Sequence, residues 1–124
     1  MLLVDAANVV GSRPDGWWRD RAKAAAGLVE RIRAATASAA LPGPVVVVLE
    51  GTARPGAAEG TDGGVQVVHA PGEGDDTLVA LAAAAGAAAE AVVLVSADRA
   101  LCGRCRAVGS EIVGPRWLLD RLGP

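Results

Sequence analysis

Short β-branched and aliphatic runs alternate with helix-like segments along this sequence of 124 residues, and this order restricts the fold more than any other feature. The run before Glu50 is Val-Val-Val-Val-Leu, in which no polar residue alternates, so both faces of that strand are expected to be buried. Repeated strands and helices in this order predict an α/β fold with a mostly parallel sheet and helices on both of its faces. Predicted strands cover residues 2–5, 45–49, 65–70, 91–95 and 111–113.

Apolar residues at helical spacing locate the connections between these strands. Predicted helices cover residues 18–37, 75–89, 99–108 and 115–122. The first of them places Trp18 above Ala22 and Ala25, which predicts a core position for this indole. Residues 51–64 are rich in Gly, Pro, Ala and Thr, a composition that predicts a mobile loop.

Composition and charge exclude several classes of protein. Hydrophobic residues make up 52% of the chain and charged residues 21%, which excludes a disordered protein and predicts one domain over residues 1–124. The net charge of −2 excludes a uniformly basic nucleic-acid-binding surface and leaves room only for a local basic patch. Asp5 interrupts the N-terminal apolar run before a signal peptide can form, and the apolar run over residues 78–89 is shorter than the roughly 20 residues that span a bilayer. We therefore predict a cytoplasmic protein without membrane contact.

Acidic residues follow the predicted strands at the point where each strand ends. Asp5 ends the first strand, Glu50 follows the second, and Asp98 comes shortly after the fourth. Asp75 and Asp76 open the helix that leads into the fourth strand. Because the carboxyl ends of parallel strands meet at one edge of a sheet, where α/β proteins bind their ligands, we expect these carboxylates to converge on one cleft.

Such crowding of like charges is unfavourable, because two charges ~4 Å apart repel by about 4 kcal/mol at an effective dielectric constant of about 20. Either some carboxylates stay protonated or a cation lies among them, and oxygen ligands without nearby His or Cys favour Mg²⁺ or Mn²⁺. Such a site suits hydrolysis of a phosphodiester. For single residues a simpler interpretation stays open: Asp75 and Asp98 fit helix N-caps, and Glu50 fits a solvated strand end. Asp5 has no evident capping role.

Three segments together resemble the NYN domains, which are PIN-like nucleases, and most closely the bacterial YacP-like ribonucleases. The segments read Leu-Val-Asp-Ala-Ala-Asn-Val-Val-Gly from Leu3, Pro-Gly-Glu-Gly-Asp-Asp-Thr from Pro71, and Val-Leu-Val-Ser-Ala-Asp-Arg from Val93. The resemblance covers essentially the whole chain and implies a three-layer α/β/α sandwich with strand order 3-2-1-4-5. It also implies an endoribonuclease that depends on Mg²⁺ or Mn²⁺.

The resemblance assigns roles to individual residues. Asp5, Asp75 and Asp98 match the metal-binding acids of the family, and Glu50 is a weaker match for a further acid. Asp76 matches a position that is often acidic, and Asn8 matches the asparagine that orients a ligand or water. The chain departs from the family where Ala6 replaces the usual glycine of the first motif, and it lacks most of the family's aromatic residues.

The densest cluster of basic and aromatic residues directly follows the first acidic motif and predicts contacts to single-stranded or exposed RNA. An alternative is that the arginines coat a solvated helix and one tryptophan packs in the core. Arg54 is a candidate lid contact and Arg104 a second basic contact. The predicted substrate contacts are Arg13, Trp17, Arg19, Arg21, Ser96 and Arg99.

The two cysteines, the single histidine and the last tryptophan favour structural rather than functional interpretations. Cys102 and Cys105 form a CxxC pair inside a predicted helix, and with His69 as the single histidine a zinc site lacks ligands, so we expect two buried thiols. His69 is interpreted as a packed strand-end residue rather than a substrate contact. Trp117 is expected to close the core from the last helix.

Two other functions remain open. A degenerate PIN-like module that binds RNA or a protein would keep the fold without catalysis, although such modules usually lose an acid. A phosphotransfer enzyme with Asp5 as nucleophile is less consistent, because a haloacid-dehalogenase-like enzyme needs an acid where Ala7 stands, and a receiver domain needs a late lysine. Whether the chain acts alone or as a homodimer is not settled by the sequence.

Overall fold

The computed structural model describes residues 1–124 and contains six strands, five α-helices and two short 3₁₀ helices. The strands are β1 (Leu2–Asp5), β2 (Val45–Leu49), β3 (Gly60–Asp62), β4 (Val65–His69), β5 (Val93–Val95) and β6 (Glu111–Val113). The α-helices are α1 (Ala6–Gly11), α2 (Arg21–Ala37), α3 (Gly74–Ala87), α4 (Arg99–Arg106) and α5 (Pro115–Leu122), and the 3₁₀ helices are Trp17–Arg19 and Gly51–Gly56. No helix combines the length and the apolar composition that crossing a membrane requires.

The strands form one sheet in the order β3-β4-β2-β1-β5-β6. All neighbouring strands are parallel except β3 and β4, which are antiparallel. The five parallel strands have the predicted order 3-2-1-4-5, because β3 is an addition at the edge. Strand β1 lies between β2 and β5, so its carboxyl end is the switch point of the sheet, where ligands bind in folds of this type.

Two aliphatic clusters cover the two faces of the sheet, as the three-layer prediction requires. On one face Val45, Val47 and Leu49 pack with buried residues of α1, α2 and α5. On the other face Val46 and Val48 pack with buried residues of α3 and α4. Alternate residues of β2 therefore enter opposite clusters, which explains why this strand contains no polar residue.

The first long helix begins later than predicted. Asp20 caps α2, because its Oδ1 accepts a hydrogen bond from the backbone N of Lys23 at 3.0 Å. Trp18 therefore lies in the preceding 3₁₀ helix and is 55% exposed, so the prediction of a core position for Trp18 was wrong. Trp17 is the half-buried indole of the pair.

The segment predicted as a loop over residues 51–64 is structured. A 3₁₀ helix is followed by β3, and Gly63 and Gly64 connect β3 to β4 with φ angles of 59° and 83°. Two residues with positive φ make the tight hairpin turn that glycine favours. His69 supports this segment from the end of β4, because its Nε2 lies 2.7 Å from the carbonyl oxygen of Ala57. The prediction of a packed strand-end histidine is confirmed.

Helix α3 lies close to the turn that follows α4 at Gly86. A Cβ at this position in α3 would lie 2.6 Å from the carbonyl oxygen of Val108. At Gly103 in α4 no neighbouring atom lies within 4 Å of such a Cβ.

We predict that Gly86→Ala lowers the free energy of unfolding by about 1–3 kcal/mol, because overpacking forces the backbone apart. Gly103→Ala, the matched control, is expected to raise it by roughly 0.5–1 kcal/mol through helix propensity. Urea denaturation measures both, and equal effects of the two substitutions would contradict this close approach.

Candidate active site

Asp5 lies at the carboxyl end of the central strand β1, and only 5% of it is exposed. Its Oδ2 accepts a hydrogen bond from the hydroxyl of Ser96 at 2.8 Å, and its Oδ1 accepts one from the backbone N of Asn8 at 3.4 Å. The second contact makes Asp5 the N-cap of α1. Our expectation that Asp5 has no capping role was therefore wrong, because a helix as short as α1 has too few residues to show helical spacing in the sequence.

Ser96 connects Asp5 to the loop between β5 and α4. Its hydroxyl donates to Asp5 and accepts a hydrogen bond from the backbone N of Asp98 at 3.1 Å. The residue is 1% exposed, so its hydroxyl supports the neighbouring carboxylates and presents no surface to a substrate. This position corrects the prediction of Ser96 as a substrate contact.

Asn8 and Asp98 fasten the same loop from either side. The Oδ1 of Asn8 accepts a hydrogen bond from the backbone N of Ala97 at 2.8 Å, which ties α1 to the loop. Asp98 caps α4, and its Oδ1 accepts from the backbone N of Leu101 at 3.0 Å. The capping interpretation is therefore correct for Asp98. Capping occupies Oδ1, and no hydrogen bond from the protein reaches Oδ2.

Glu50 follows β2 and is fixed to the start of α3. Its Oε2 accepts a hydrogen bond from the backbone N of Gly74 at 3.1 Å. A Cβ at Gly74 would lie 3.0 Å from Oε1 of Glu50, so a glycine at this position makes room for the carboxylate. Sequence reasoning missed Gly74. The signal for it was a glycine directly before the two acids that open the helix.

The acids at this edge influence one another electrostatically. Burial raises the pKa of Asp5 from 3.8 to about 6; its hydrogen bonds to Ser96 and Asn8 oppose the shift, and the charges of Asp75 and Glu50 add to it. Asp75 is half-buried in the first turn of α3. Burial raises the pKa of Asp75 as well, the nearby carboxylates add to the shift, and the Arg104 guanidinium opposes it. The carboxylates that add to the shift of Asp75 are those of Asp98, Glu50 and Glu73.

The edge is acidic, but its side chains do not form a ready-made metal cage. No three His, Cys, Asp or Glu side chains lie close enough together to hold an ion between them. Asp76 is exposed and pairs with Arg104, whose Nη2 lies 3.0 Å from Asp76 Oδ1. The sequence predicts one close cluster of carboxylates, whereas the structure holds them separately: Asp5 on β1, Glu50 after β2, Asp75 and Asp76 on α3, and Asp98 before α4.

The donor set nevertheless fits a hard divalent cation. The side chains available are oxygen ligands, the kind that Mg²⁺ and Mn²⁺ prefer. Burial and neighbouring carboxylates both raise the pKa of Asp5 and of Asp75, and a cation would relieve the repulsive part of this shift.

Two of the predicted substrate contacts, Trp17 and Arg21, line a groove together with Glu50. The guanidinium of Arg21 lies 5.0 Å from the centroid of the Trp17 ring, and that of Arg19 lies 5.8 Å from the centroid of Trp18. The two indoles meet edge to face with centroids 6.1 Å apart. Arg13 is exposed and its Nε lies 3.7 Å from Asp15. Arg99 is exposed at the start of α4, on the other side of the acidic edge.

The other predicted side chains have structural positions. Cys102 and Cys105 are free thiols on the buried face of α4, where they pack among aliphatic residues as expected. Burial raises the pKa of both thiols. Trp117 is half-buried against the first cluster, which confirms its place at the edge of the core. Arg54 lies in the 3₁₀ helix Gly51–Gly56 and donates to the carbonyl oxygen of Gly51 at 3.2 Å.

Comparison with known proteins shows a shared fold. A crystal structure of Rae1 (YacP) from Bacillus subtilis, a tryptophan-to-leucine variant, matches with a TM-score of 0.75 and 21% identity over 98% of this chain and 73% of that one. A second crystal structure of Rae1 (YacP) from the same organism matches with a TM-score of 0.69 and 20% identity, covering 98% and 72%. No family model matches the chain, and no curated protein matches it significantly in sequence. The chain therefore has a YacP-like fold.

The raised pKa of Asp5 predicts a pH-dependent stability in metal-free buffer. Between pH 3.8 and about 6 the folded protein holds the Asp5 proton and the unfolded chain releases it, so stability falls as pH rises through this range. The difference of about two pKa units corresponds to a loss of roughly 3 kcal/mol. Asp5→Asn should lack this contribution. Urea denaturation of both proteins between pH 4 and 7 in EDTA measures it, and parallel pH profiles would exclude a raised pKa at Asp5.

Proposed function

We propose that this chain is a divalent-metal-dependent endoribonuclease of the NYN type, which hydrolyses phosphodiester bonds at the carboxyl edge of its sheet. The observation that carries the proposal is Asp5, a carboxylate buried at the switch point of the sheet. Burial raises its pKa to about 6, and the charges of Asp75 and Glu50 add to the shift. Each of the three sequence segments that resemble YacP-like ribonucleases contributes an acid to this edge: Asp5, Asp75 and Asp98. The shared fold with Rae1 (YacP) supports the same interpretation.

In this proposal Asp5, Asp75 and Asp98 hold a Mg²⁺ or Mn²⁺ ion, with Glu50 as a further oxygen ligand. A bound ion of this kind supplies a nucleophilic water and stabilises negative charge on the phosphate. Ser96 and Asn8 are positioning residues, because their hydrogen bonds fix Asp5 and the loop that carries Asp98. Asp76 would act as a positioning residue for the Arg104 guanidinium, with which it forms an ion pair.

The substrate in this proposal is single-stranded or exposed RNA. Trp17 and Arg21 flank the acidic edge on the α1–α2 side, where they line a groove with Glu50. Arg13 and Arg19 continue this surface away from the edge, and Arg99 follows Asp98 directly at the start of α4. Indole and guanidinium planes stack on unpaired bases, and guanidinium groups bind phosphates. Both kinds of group are presented together here, since each indole of the Trp17–Trp18 pair has an arginine over its ring.

A catalytically degenerate module with the same fold is the second candidate. The separation of the carboxylates favours it, because no three of them are close enough to hold an ion together as they stand. The two candidates differ in whether the acids bind metal and whether RNA is cut.

Removal of the central carboxylate tests the enzymatic proposal. Asp5→Asn is expected to reduce Mn²⁺-dependent cleavage of an unstructured RNA to the level of the uncatalysed control, because the buried acid of the site is neutralised. Glu111→Gln is the matched control, since Glu111 is an exposed acid at the edge strand β6. Cleavage is followed on denaturing gels, with circular dichroism to verify folding. Full activity of a folded Asp5→Asn protein would exclude the mechanism.

Metal binding is tested separately from cleavage. Mg²⁺ or Mn²⁺ is expected to raise the melting temperature of the wild type, because an ion bound only to the folded state stabilises it by about 2.7 kcal/mol at a concentration of 100 Kd. Asp5→Asn should lose most of this shift and Glu111→Gln should keep it. A wild-type melting temperature that stays constant up to millimolar metal would favour the degenerate module.

A further inference from the structure

Two grooves meet at the indole of Trp17 on the α1–α2 side of the protein. The smaller has a volume of about 210 Å³ and is lined by Glu50 and Arg21, so it opens beside the acidic edge. The larger has a volume of about 400 Å³ and leads away from that edge. Val10 and Trp17 line both grooves, so together they separate the two spaces.

The larger groove is basic in a chain whose net charge is −2. Its four cationic residues are Arg13, Arg19, Lys23 and Arg31, and its two acidic residues are Asp15 and Asp20. The two acids are already engaged, because Asp15 pairs with Arg13 and Asp20 caps α2. Arg19 and Lys23 form no ion pair with any carboxylate. Arg31, which donates to the carbonyl oxygen of Gly123, also pairs with no carboxylate. Three cations without an acidic partner therefore border this groove, and Arg19 and Lys23 are the two exposed ones.

The floor of the larger groove is apolar. Val9, Val10, Leu28 and Leu119 line it beneath the cations. An apolar floor with cations at the rim fits a ligand that has a flat, weakly polar part and a negative charge next to it. A nucleotide has this chemistry, and a free inorganic anion would leave the floor uncovered.

We propose that the two grooves bind successive nucleotides of a single-stranded RNA on one side of the cut. A base contacts Trp17 and Val10, and Arg19 and Lys23 each bind one phosphate on the side of Trp17 away from Glu50. The strand must be unpaired, because a base within a duplex cannot enter a groove next to an indole. The position of the cut rests on the proposed function, whereas the groove itself can be tested without cleavage.

The test is the affinity of a fluorescein-labelled unstructured RNA for the full chain in EDTA, measured by anisotropy in a series of salt concentrations. Arg19→Ala combined with Lys23→Ala removes the two exposed cations of the groove that have no carboxylate partner. Arg106→Ala combined with Arg116→Ala removes two exposed arginines that line neither groove and leaves the same net charge. All four side chains are exposed, so we expect every variant to fold, and circular dichroism verifies it.

The groove variant is expected to bind at least tenfold more weakly than the wild type and to lose about 1.4 from the slope of log K against log salt, at roughly 0.7 for each lost phosphate contact. The control variant should change much less, and an RNA duplex of the same sequence should bind much more weakly than the single strand. Equal weakening by both variants, equal binding of the duplex, or no binding of the wild type overturns the proposal. RNA binding that depends on the groove, in a protein that cuts no RNA with Mn²⁺, would instead refute the proposed nuclease function and leave the groove proposal standing.

Discussion

The hydrogen bond between Ser96 and Asp5 holds together the part of the structure on which the candidate site depends. It joins the ends of β1 and β5, the two strands between which the order of the sheet reverses. A carboxylate this deeply buried is unfavourable without partners, and the Ser96 hydroxyl and the Asn8 backbone N supply them. The same hydroxyl accepts from Asp98, so one buried group sets the positions of two acids that are more than 90 residues apart in sequence.

The buried carboxylate of Asp5, even with its hydrogen bonds, stabilises the folded protein less than an apolar side chain at the same position would. Burial and neighbouring negative charge both raise the pKa of Asp5, so ionising it at neutral pH opposes folding. The aliphatic clusters on the two faces of the sheet have to offset the free energy that is lost when Asp5 is ionised in the folded protein. A strained or repulsive group maintained by the rest of a fold is a common property of functional sites.

The parallel sheet was predictable from the sequence, because the aliphatic runs at β1, β2 and β5 contain no alternating polar residues and therefore indicate burial on both faces. The edge at which the acids lie followed from the topology for the same reason. Other features depend on contacts distant in sequence. Trp18 has the spacing of a core residue, but the Asp20 cap starts α2 after it. Strand β3 is entirely exposed and contains no apolar residue, so only its pairing with β4 defines it.

The fine geometry of the site was less predictable than its location. The pattern of strand ends placed five acids at one edge, but it could not show that Asp76 would pair with Arg104 or that Glu50 would bind the first turn of α3. These partners depend on side-chain directions and on Gly74, whose missing Cβ makes room for Glu50. Shared fold at 20–21% identity does not resolve such details either, because a sheet of this order can carry different side chains at its edge.

Charge distribution connects the acidic edge to the basic groove. A polyanion approaching a chain of net charge −2 is repelled by the carboxylates at the strand ends and attracted by the cations around Trp17. Neutralising the edge with a divalent ion removes the repulsive part of this field and leaves the attractive part. In the proposed function, binding of an ion and binding of RNA would then be positively coupled, and by linkage each would tighten the other to the same extent. An acidic chain could therefore bind RNA without a uniformly basic surface, because its exposed cations are grouped around one groove.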